Sequence, residues 1–167
     1  MIAYMLIVLG FLMRLIPHIP NAAPIAAIAI FAGATLNRKL VPWVPLAIMI
    51  ASDLIIGMHD VVFYTWGAFM LIGIFGTRLK ESRTPLGICG YAIGSALFFF
   101  AVTNFGVFLT WYPHTMQGFA DCYIKAVPFF RTTLISNVVF SFVLFGVYDL
   151  AGRLVRETKY SRILLAD

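Results

Sequence analysis

Apolar residues in this chain come in long blocks, broken by short polar or proline-bearing stretches. Six blocks can be drawn, at about 1–16, 22–36, 42–57, 61–76, 86–103 and 130–151. They are apolar all round, with no helical stripe facing a wetted one. That pattern predicts helices whose surroundings are lipid on every side. Several blocks fall short of the roughly 20 residues needed to cross about 30 Å of hydrocarbon. Those helices either extend into their polar flanks or are broken or partly re-entrant. Residues 1–36 can also be drawn as one kinked unit. Pro17, Pro20 and Pro24 oppose a single straight helix there, because each removes an amide donor. The reading is an all-α, polytopic membrane bundle of about six transmembrane helices, one domain over 1–167.

Composition agrees. The chain is 62% hydrophobic and 11% charged, with mean hydropathy +0.95, whereas a soluble domain carries about a quarter charged residues. The N-terminal block has no Lys or Arg before it and no small-residue cleavage site after it, so it reads as a retained first helix. Cys89 and Cys122 are too few and too isolated for a disulfide framework or a metal knuckle.

Charge placement gives an orientation. With six spans, Arg38, Lys39, Arg78, Lys80, Arg83, Arg153, Arg156, Lys159 and Arg162 all fall on one side. These are nine of the twelve basic residues, and the positive-inside rule makes that side cytoplasmic. Both termini, including the basic tail 152–167, are then expected in the cytoplasm of a bacterial inner-membrane protein. The net charge of +5 reflects anchoring at an anionic leaflet and needs no nucleic acid.

The opposite, external side collects different chemistry. It holds Arg14, His18, Asn21, His59, Asp60 and a stretch from 104 to 129, read as an external loop dense in aromatics. Overlapping its end, 119–130 reads as a short interfacial helix ended by Pro128. The stretch is either a lid over the bundle mouth or an interfacial anchor. Trp66 and Trp43 read as ordinary boundary tryptophans.

Asp53 lies inside an apolar block, where an acid costs roughly 2.5–3.5 kcal/mol on insertion scales. It should face the interior with a partner, Arg14 or Arg131, as a substrate contact or as a structural ion pair. Asn137 is well inside a span and must hydrogen-bond a neighbouring helix or a ligand. Asp149 reads as a local pair with Arg153. Ala22, Ala26, Ala29 and Gly33 form a small-residue face that packs either within the chain or against a partner helix.

No nucleophile elbow, HExxH or P-loop occurs, so an enzyme is not expected, nor a bound cofactor. If the protein serves a primary transporter, the ATPase is another chain. His18, His59 and His114 lack metal-ligand spacing, and haem or metal handling is the weakest of three readings.

The runs RLIPHIPNAAP at 14–24, FAVTNFG at 100–106 and PFFRTT at 128–133, with Asp53, resemble a bacterial family of uncharacterised membrane transport proteins. Those in turn are similar to the S components of energy-coupling-factor transporters. That resemblance implies a six-helix bundle with an outward-open pocket for a vitamin-like micronutrient. It also implies a transmembrane coupling subunit with separate ATPases. S components carry their small-residue docking stripe on the first helix, whereas here it lies on the second span. The leading expectation is a substrate-binding membrane subunit for a small, anionic or amphipathic micronutrient. Arg14, His18, Asn21, Asp53, Asn104, Trp111, Tyr112, Asp121 and Arg131 are its expected pocket residues. The alternative is a structural accessory subunit of a larger membrane complex.

Overall fold

The computed structural model describes residues 1–16, 24–81 and 83–156. They form six α-helices: α1 (Ile2–Leu15), α2 (Ile25–Thr35), α3 (Trp43–Ile56), α4 (Val62–Gly76), α5 (Pro85–Trp111) and α6 (Met116–Arg156). A short 3-10 turn, Thr77–Lys80, extends α4. No strand occurs among the described residues.

Local chemistry sets the boundaries. Leu36 is extended, and the Asn37 carboxamide oxygen accepts from the Lys39 amide at 3.1 Å, closing an Asx turn between α2 and α3. Pro42 and Pro45 then sit where a helix start leaves amides unpaired anyway. Gly57 ends α3 at φ +122°, a conformation that side chains with a Cβ rarely adopt. Thr84 caps α5 by accepting from the Gly87 amide at 3.0 Å, with Pro85 in the first helical position.

The last two helices differ most from the sequence expectation. Residues 104–111 continue α5, and 116–129 are already α6, so the expected external loop shrinks to the connection 112–115. The Thr115 hydroxyl accepts from the Gly118 amide at 3.1 Å and starts α6. Pro128 does not end this helix. It removes the single bond owed to the Ile124 carbonyl, a loss that a long helix packed along a neighbour absorbs. Cys122 and Tyr123 tie the two helices together by donating to the Asn104 and Ala101 carbonyls.

The helix α2 is the axis of the molecule, with every residue from Ile25 to Thr35 buried. Glycines set its approach to α4. A Cβ on Gly33 would lie 2.3 Å from the Gly73 carbonyl oxygen and under 3 Å from the Gly76 backbone. Phe31 meets Phe145 and Tyr148 of α6 edge-on at 5.3 and 5.4 Å. Ala26, Ala29 and Gly33 are thus consumed by packing inside this chain and present no face to an outside helix, while Ala22 lies outside the described residues.

Three segments are long and apolar enough to cross a membrane: Val62–Lys80, α5 and α6. The others are shorter, with α2 only about 16 Å long at 1.5 Å per residue. Large apolar side chains cover much of the outside, among them Leu54, Ile55, Phe63, Leu86 and Leu154. The two ends differ in charge. One carries Arg38, paired with Glu81 at 3.5 Å, and Arg83, paired with Asp149 at 2.7 Å. Asp149 therefore reaches across to the start of α5 instead of pairing with Arg153 on its own helix. The other end carries Arg14, Asp53 and Asp60.

Candidate functional site

Asp53, in the last turn of α3, is the most deeply buried charge among the described residues, with its side chain 2% exposed. Both carboxylate oxygens are used. Arg14 Nη2, from the last turn of α1, donates to Oδ1 at 2.5 Å, and Trp66 Nε1 of α4 donates to Oδ2 at 2.8 Å. Three helices are thereby joined at one carboxylate. A buried acid is tolerated only with such compensation. Of the two expected cations, Arg14 is the partner. Arg131 is exposed on α6 and has no ion-pair partner among the described residues.

A cavity of about 180 Å³ lies against this group, lined by Arg14, Ile25, Ala26, Met49, His59, Thr65, Phe69, Phe99, Thr133 and Asn137. Asn137 is 3% exposed. Its amide nitrogen donates to the Ala92 carbonyl at 2.6 Å and to the Ser95 hydroxyl at 2.7 Å. A carbonyl can only accept, so the nitrogen must face α5, which leaves Oδ1 on the other side of the group. That oxygen is buried and has no partner among the described residues. The same holds for Arg14 Nε. One unfilled acceptor and one unfilled donor, both buried, thus belong to residues lining one partly open cavity, and a buried hydrogen bond left unmade is costly.

None of the other expected pocket residues that the structure describes lines this cavity, although Asn104 lines the chamber beside it. Trp111 is exposed and donates to Asp60 at 3.1 Å. Tyr112 lies under Lys125, 5.6 Å from its ring centroid. Asp121 accepts from Gln117 one turn away on α6. The Asn104 amide folds back onto the Phe100 carbonyl at 2.8 Å. His18 and Asn21 are outside the described residues. Sequence reasoning left His59, Thr65 and Thr133 out of the pocket, named Asn137 only as bonding a neighbouring helix or a ligand, and took Trp66 for a boundary anchor. Thr133 and Asn137 are one turn apart, a spacing that places both on one face of α6. No pattern in the sequence could pair Trp66 with Asp53.

Two further spaces are relevant. A chamber of about 210 Å³ between α5 and α6, lined by Phe99, Phe100, Asn104, Ala126, Phe130 and Thr133 among others, shares Phe99 and Thr133 with the polar cavity. At the basic end, an open cleft of about 520 Å³ is lined by Ile72, Tyr91, Gly94, Phe98 and Arg78 among others. Its walls are almost wholly apolar and contain none of the expected pocket residues. Among the described residues no group of three His, Cys, Asp or Glu side chains could hold a metal.

These features define a class: an all-helical protein with three helices of membrane-crossing length and a small polar cavity beside a buried ion pair. The chain belongs to the family of unknown function DUF6580, whose model matches residues 1–160. No curated protein and no solved structure matches it.

Proposed function

We propose that this protein is a substrate-binding component of the bacterial inner membrane that takes up a small molecule through the cavity beside Arg14. One observation carries the reading: Arg14 Nε and Asn137 Oδ1 are both buried, both without a partner among the described residues, and both on residues that line the same space. A protein evolved only as scaffold fills such a space with apolar side chains, because orphaned polar atoms destabilise it. Ionisable groups inside membrane segments mark substrate paths by default.

In this reading all six helices sit in the bilayer, the short ones helped by their polar flanks. The end with Arg38, Lys39, Arg78, Lys80 and Arg83 is cytoplasmic, by the positive-inside rule. The ion pairs Arg38–Glu81 and Arg83–Asp149 support placing those segments at one end of the bundle, and the rule alone assigns that end to the cytoplasm. The cavity then opens from the external half. A likeness to S components fits the size and the helix number, and a separate ATPase-driven coupling subunit would supply energy. Its docking face would not be the small-residue stripe of α2, which is buried.

The test is mass spectrometry of the protein purified in its native lipids. A small molecule that co-purifies with wild type and is lost in Asn137→Leu is the expected result. An empty cavity together with a stable stoichiometric partner that lacks transport ATPases would replace this reading with that of an accessory subunit.

A further inference from the structure

Resting on that reading, we infer the chemical class of the ligand: a neutral molecule with an amide-like head and a flat apolar body. The head occupies the Arg14–Asn137 cavity, and the body lies in the adjoining chamber between α5 and α6.

Charge decides the head. Asp53 accepts from Arg14 and Trp66 with its two oxygens, so the positive charge of Arg14 is already matched before anything binds. His59 is the one other lining side chain able to carry a positive charge, and it is exposed. Held between Arg14 and Asn137, away from that imidazole, a carboxylate or phosphate would be an extra buried charge without a counter-ion, which low-dielectric surroundings penalise heavily. The Asn137 oxygen opposes an anion as well, since two acceptors repel. Among the buried polar atoms of its lining residues, the two left unfilled are one N–H, of Arg14, and one carbonyl oxygen, of Asn137. A group that offers both an acceptor and a donor while staying neutral satisfies both: an amide, lactam or ureide.

Space decides the body. The polar cavity, about 180 Å³, is smaller than the roughly 300–1,000 Å³ of common ligand pockets. The chamber of about 210 Å³ next to it shares the Phe99 and Thr133 walls, and the two together enter that range. The second chamber is lined by four phenylalanines, Phe100 and Phe130 centred 4.8 Å apart, and its polar side chains, Thr103, Asn104 and Thr133, already donate to carbonyls of their own helices. Aromatic walls favour a flat apolar group. The chamber is flanked by Ala126 and Phe129, on either side of Pro128 where α6 lacks one backbone hydrogen bond.

Benzamide and benzoate have the same ring and differ in the charge of the head. Their binding is compared by saturation-transfer NMR on the protein in nanodiscs, with empty nanodiscs as the blank. Benzamide should bind, and benzoate at least tenfold more weakly. Asn137→Leu should weaken benzamide at least fivefold. So should Ala126→Leu, which fills the chamber without removing a hydrogen bond and serves even if the first variant misfolds. Benzoate binding as tightly as benzamide, in an Asn137-dependent way, would overturn the neutral class while leaving the cavity a binding site. Benzamide binding unchanged in both variants, or absent from wild type, would overturn the inference outright. The co-purification measurement judges the uptake reading separately.

Discussion

Replacing either member of the Arg14–Asp53 pair tests the structural logic most directly. In Asp53→Leu the Arg14 guanidinium, only 16% exposed, loses its counter-ion, and the Trp66 indole N–H loses its acceptor. In Arg14→Leu the carboxylate, 2% exposed, keeps only the Trp66 bond. Breaking a buried pair from one side costs about 3–5 kcal/mol, because an uncompensated charge stays buried. Removing both charges leaves neither penalty, and an apolar pair of similar volume is often neutral or better. Arg14→Leu/Asp53→Leu should therefore cost less than either single change, apart from the orphaned Trp66 donor. The coupling should amount to several kcal/mol, well beyond the few tenths by which independent sites depart from additivity. Unfolding in mixed micelles by an SDS titration, followed by circular dichroism, measures all three variants. Single losses below about 1 kcal/mol, or a double loss equal to their sum, would show that the pair is solvated and not buried as described.

Three other outcomes are expected. Gly33→Ala should destabilise by at least about 1–3 kcal/mol, since its Cβ meets backbone of α4, whereas Gly90→Ala, with nothing within 4 Å, should be neutral or stabilise by up to about 1 kcal/mol. The same micelle titration compares them, and equal effects would refute the close α2–α4 contact. Trp66→Phe keeps the ring but removes a 2.8 Å bond to a carboxylate and should cost about 1.5–3 kcal/mol in that titration. With Cys89 and Cys122 replaced, single cysteines at Lys39 and Met116 should react with an impermeant maleimide from opposite faces of sealed vesicles, and labelling from the same face would refute the topology.

The hydrophobic blocks by themselves determined that the chain is helical, and roughly where its first four helices lie. Helix starts and stops made of proline, glycine and capping residues are local chemistry, and local chemistry is written in order along the chain. The stretch 104–129 shows where this stopped working. Its polar and aromatic residues read as a loop, yet they form the ends of α5 and α6, because each end buries itself against the other. That packing energy exists only once the hairpin has formed, and it overrides a single proline.

The candidate site divides in the same way. That Asp53 needed a cationic partner followed from the cost of burying an acid, and two arginines qualified. Only the tertiary structure decided for Arg14, added Trp66, and turned the Asn137 carbonyl away from α5. It also spread Trp111, Tyr112, Asp121 and Arg131 along the hairpin, outside the lining of that cavity. Sequence places residues at an end of the bundle, because depth follows from position along a span. Which of them share a cavity depends on how each helix is rotated about its axis, and that rotation is set by contacts between residues far apart in the chain.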